Sequence, residues 1–109
     1  MNNFVSRILS EVETYHAKIV AVDQQQGQYV NDHQEGRIDN RRLIELQAPA
    51  SAEKNRIIHE FEDSILPILN EAKESGMETN TISALASLAI GTDARSEFAR
   101  DALRERSEA

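Results

Sequence analysis

Two apolar stripes with one shared spacing constrain this chain more than anything else in it. Val5, Ile8, Val12, Tyr15, Ile19 and Val22 step by threes and fours through the N-terminal third, and Ile58, Phe61, Ile65, Ile68 and Ala72 repeat the pattern after a polar interval. That spacing puts each set on one side of an α-helix, and two such helices joined by a tight turn bury each other as an antiparallel hairpin. The segment from Asn31 to Gly36 is rich in turn formers and lacks periodicity, so the chain is expected to reverse near residue 35. Facing residues then have numbers totalling about 70, which sets Val12 opposite Ile58, Ile8 opposite Phe61 or Glu62, and Val5 opposite Ile65. Ile19 and Val22 would meet Ala48, Pro49, Ala50 and Ser51, small residues that bury little area, so this half of the hairpin is expected to be thin.

The first helix is expected to start at Asn2 or Asn3 and to run to about Val30. Asp39 reads as the N-cap of the second, with Ile38 and Leu43 placed as a hydrophobic staple. Pro49 falls where the apolar frame shifts from Leu43 and Leu46 to Ile58 and Phe61, which predicts a kink or short break there, with Ser51 capping the next helical segment. The stepping passes through Pro67 unchanged, so a bent but continuous helix is expected to end near Ser75 and Gly76. Residues 77–80 read as a loop, Asn80 or Thr81 as a cap, and Ile82, Leu85, Leu88 and Ala89 as one short apolar face. Gly91 is the natural stop and Thr92 or Asp93 the next cap. Phe98, Ala102 and Leu103 line a last helix, whose Glu97, Arg100, Asp101, Arg104 and Glu105 support an exposed surface. The expected architecture is a single all-α domain over residues 1–109. It comprises an antiparallel helical hairpin with a kinked second helix (1–75) and a C-terminal pair of shorter helices (76–109), completing a bundle by oligomerisation.

Composition narrows the function classes. Cysteine is absent, which removes disulfides, thiolate metal sites and thiol nucleophiles and suits a cytoplasmic protein. No basic stretch leads into an apolar run near the N-terminus and no 18 apolar residues occur together, so neither a leader nor a membrane span is expected. The net charge of −7 is spread evenly, so no segment is basic. Clustered Lys and Arg supply most of the affinity for phosphate, and their absence argues against direct nucleic-acid binding.

Glu13 and His16 form an E-x-x-H, and His59 and Glu62 an H-x-x-E on the facing helix. Carboxylate and imidazole three residues apart share a helix face, the arrangement from which four-helix bundles build two-metal sites. All four fall on the flanks of an apolar seam, however, so no metal ligand is expected. The serines have no elbow glycines and the four glycines are isolated, so no enzyme activity, cofactor or small-molecule substrate is expected. Residues 82–103 have the outline of a helix-turn-helix around Gly91, but Asp93, Glu97 and Asp101 interleave with Arg95, Arg100 and Arg104 and would repel phosphate.

The surplus points elsewhere. Phe4, Leu9, Val20, Ile57, Leu66 and Leu69 lie beside or off the seam, and Glu60, Glu62 and Asp63 begin an acidic run continued by Glu71, Glu74 and Glu78. Apolar surface beyond what a monomer tolerates marks a binding surface. These residues are the expected contacts of a non-enzymatic helical protein–protein interaction module, one that self-associates as a dimer or higher oligomer and binds a second protein. It would serve as an adaptor, inhibitor or accessory factor of bacterial or phage type. The alternative is an acidic nucleic-acid mimic that blocks a basic cleft. A metal-dependent helical-bundle enzyme ranks below both.

Overall fold

The computed structural model describes residues 3–109, so Asn2 as a cap lies outside the described residues. Four helices follow one another: α1 (Asn3–Gln34), α2 (Asn40–Glu74), α3 (Asn80–Ala89) and α4 (Ala94–Glu108). The α1 and α2 helices form the hairpin. All six residues of the first stripe, Val5 to Val22, are buried. On α2 the buried line is Ala50, Ile57, Phe61, Ile65, Ile68 and Ala72. Ile57, expected off the seam, is therefore part of it at 2% exposure, while Ile58 turns to its edge, half-buried. Spacing explains the exchange, because Ile57 stands one heptad after Ala50 and four residues before Phe61, whereas Ile58 lies about 100° farther round the helix.

The register also differs. Arg7 pairs with Glu71 at 2.7 Å, Tyr15 Oη shares a 3.0 Å hydrogen bond with Ser64 Oγ, and Asp23 pairs with Lys54. The Tyr15 ring meets Phe61 edge-on with centroids 5.7 Å apart. Facing numbers thus total about 77 rather than about 70, a slip of one heptad that sets Val12 level with Ile65 and Val5 level with Ala72. Part of the slip arises because α1 does not stop at Val30 but continues through Gly27 to Gln34. Gly36, at φ 78°, then ends it: Arg37 N donates to Asp32 O at 2.8 Å and Gly36 N to His33 O at 3.1 Å, a Schellman pair. Asp39 caps α2 as expected, accepting from Arg42 N at 2.8 Å. The same glycine device closes α2, where Gly76 stands at φ 86° and Met77 N donates to Ala72 O at 3.0 Å.

The break expected at Pro49, with Ser51 as a new cap, is absent, since α2 runs unbroken through both prolines. Pro49 and Pro67 are five full turns apart and both exposed, so they share the line facing away from α1. Backbone hydrogen bonds on the solvent side of a curved helix are the longest, so a missing one costs least there.

Neither Asn80 nor Thr81 caps α3. Thr79 occupies the cap position without a side-chain bond, and Asn80 N donates to Glu78 Oε1 at 3.0 Å. The inward residues are Ile82, Ala86 and Ala89 on α3, then Ser96, Ala99 and Leu103 on α4. Leu88 and Phe98, expected to line these helices, are instead 48% and 72% exposed. Alanines at the contact let the helix axes approach closely, and that approach turns the larger neighbours outward. Gly91 serves the same closeness, because a Cβ there would collide with Ser96 Oγ. Asp93 caps α4 by accepting from Ser96 N at 2.8 Å, and this bond, with the Ser96 hydroxyl, holds its carboxyl below the usual value.

Thr92 Oγ1 donates to Asp23 Oδ2 at 2.5 Å, and Arg100 approaches His16, so α4 runs back along α1 toward its start. Both short helices pack against each other and α1 and hardly touch α2.

Candidate interaction groove between α2 and α3

Because α3 rests on α1, a channel opens between it and α2. At one end is a cleft of about 320 Å³ with Ile19, Ile58, Leu88 and Ile90 in its walls and Asp23 and Lys54 among its lining residues. Ser87 leads from it into a second hollow of about 190 Å³ beside Glu62, Leu66, Leu69 and Ser83. Leu88 of α3, 48% exposed, lines the first hollow, and Leu66 of α2, 56% exposed, lines the second. Together they make a mostly apolar channel with hydroxyls along its α3 side.

Asp23 secures the head of the channel. Partial burial alone would raise its pKa, but the hydrogen bond and charge of Lys54 and the hydroxyl of Thr92 outweigh that and hold the carboxyl below its ordinary value. A second polar hub fixes the turn between α3 and α4. Arg100 Nη1 donates to Ala89 O and Gly91 O, each at 2.8 Å, and lies 3.1 Å from His16 Nδ1. His16 Nδ1 also lies 3.3 Å from Ile90 O. Sequence spacing had placed Arg100 on an open surface; its partners come from α1 and from residues ahead of α4, so no local pattern announced them.

The candidate residues scatter. Phe4, Leu9 and Leu69 pack half-buried against the core, and Val20 is half-buried. Phe4 also lies beneath the Arg7 guanidinium, 5.8 Å from its ring centre. Ile57 is interior and offers no surface. Of the apolar set only Leu66 is widely exposed, and the channel brings it together with Leu69 and Glu62. Asp63 is exposed, whereas Glu60 shares Arg56 with Glu53. That Glu53 contact, with Glu60 adding, raises the Arg56 pKa, and Arg56 in turn lowers that of Glu53. The exposed residues that sequence reasoning missed, Leu88, Ile44 and Phe98, were hidden because large apolar side chains near a periodic face read as core.

The possible metal ligands do not converge. His16 faces Arg100, and His59 Nδ1 lies 3.9 Å from Glu62 Oε2, both side chains exposed. Among the described residues, no group of three His, Asp or Glu side chains is placed to hold a metal ion. No helix among them is long and apolar enough to cross a membrane. No family profile, curated protein or solved structure matches the chain.

Proposed function

We propose that this protein is a non-enzymatic interaction module that receives an amphipathic helix of a partner protein in the channel between α2 and α3. The observation that supports this is the pair Leu66 and Leu88, large apolar side chains about half exposed, one in each of two adjoining hollows that share Ser87. Helix-in-groove binding needs such anchors at the spacing of a helix face. Asp23 and Lys54 neutralise each other at one end, while Glu62 and Asp63 stay exposed near the other, so the fitting helix carries basic residues beside its apolar stripe. The acidic-mimic reading ranks lower because arginines interrupt the acidic run: Arg56 lies between Glu53 and Glu60, and Arg7 holds Glu71.

Selection from a displayed library of helical peptides tests the reading. Enriched peptides should share apolar residues three and four apart with Lys or Arg beside them. Their affinity should fall at least about tenfold for Leu66→Glu and for Leu88→Glu. Peptides that bind both variants as well as the parent protein would contradict the proposal.

A further inference from the structure

We infer that the free end of the α1–α2 hairpin is the surface by which two copies of this chain join. The inference rests on the interaction-module reading above and assigns self-association to a different surface from the groove. Between Val22 and Ala50 no described side chain enters the core, although the stretch carries Tyr29, Ile38, Leu43 and Leu46. Val30 is 39% exposed and Ile44 69%. The short helices give no cover here, because from the Thr92 contact with Asp23 α4 runs back toward the start of α1. What remains is a two-helix arm, residues 26–51. Tyr29, Ile38, Leu43 and Leu46 are only half-buried in it, and long polar contacts cross its seam, Gln26 Nε2 to Ser51 Oγ and Gln47 Nε2 to Gln26 O, both 3.4 Å.

Charge identifies the occupant. The arm carries three arginines (Arg37, Arg41, Arg42) against four carboxylates (Asp32, Glu35, Asp39, Glu45), so its net charge is −1 and the remaining −6 of −7 lies on the rest of the chain. Two copies meeting through their bodies repel each other, whereas two arms meet nearly neutral with both signs present. The Arg41 side chain is 89% exposed and reaches its own Glu45 only at 3.4 Å. In a two-fold contact, Arg41 of each copy faces the acidic residues of the other arm. Two arms laid antiparallel form a four-helix bundle that covers Val30 and Ile44 of both copies, with the acidic bodies at opposite ends.

Sedimentation of the full chain from about 1 to 100 micromolar tests this, since weak homodimers dissociate across that range. The wild-type chain should dimerise, Ile44→Glu should weaken the dimer at least tenfold with an unchanged helical spectrum, and Leu66→Glu should leave it intact. A dimer lost in Leu66→Glu but kept in Ile44→Glu overturns the arm contact while leaving the interaction module standing. A wild-type monomer throughout overturns the inference outright, and the peptide selection then decides the groove on its own.

Discussion

Asp23 accepts from Lys54 on α2 and from Thr92 just ahead of α4, so one carboxylate on α1 links the hairpin to the short helices. A carboxyl whose folded pKa is depressed stabilises the fold above its unfolded value, and loses that contribution as pH falls through the folded value. Asp23→Asn should therefore cost roughly 0.5–1 kcal/mol at neutral pH, as expected of a partly exposed ion pair. Urea titrations should show that gap holding down to the ordinary carboxylate range and closing below it; a gap that widens on acidification would refute the assignment. Single positions were the least legible part of the sequence. Asp39 and Asp93 declared themselves as caps because capping is local. Asp23, His16 and Arg100 act across distances of more than thirty residues, which no local pattern encodes.

At the level of the helices, the stripes identified α1 and most of the inward face of α2, yet the register between them slipped by one heptad. Periodicity is blind to that slip, because moving one helix by seven residues returns apolar residues to apolar partners. Polar pairs such as Arg7 with Glu71 fix the alignment instead. A double-mutant cycle distinguishes the two registers: Val12→Ala and Ile65→Ala should couple by at least about 0.5 kcal/mol, whereas Val12→Ala and Ile58→Ala should be nearly additive. Coupling to Ile58 alone would restore the unshifted pairing. The break expected at Pro49 fails for a related reason, whereas the helix does continue through Pro67 as its stepping predicts. The cost of a proline depends on which side of the helix it occupies, and a five-turn separation puts both on the outer line of α2.

The whole molecule is 56 Å long and about 20 Å across, a hairpin covered along part of one side only. That lopsidedness was half legible. Surplus apolar residues announced an unfilled surface, but the sequence singled out Phe4, Leu9, Val20 and Ile57, which the structure half-buries or buries, and passed over Ile44 and Leu88. Which side chains are surplus depends on where the third layer lands, and α3 and α4 land on α1 through small residues whose placement is a tertiary outcome. One consequence is a gradient of stability along the hairpin, from the core around Val12 and Phe61 to an arm that, among the described residues, adds Ala50 alone to that core. Backbone hydrogen exchange, followed at low and at high protein concentration, reads that gradient and its remedy in one experiment. Amides of residues 26–51 should exchange far faster than those of 5–22 and 57–72 in dilute solution, and should gain protection as the concentration rises through the dimer range. Uniform protection along both helices, unchanged by concentration, would contradict both the gradient and the arm contact.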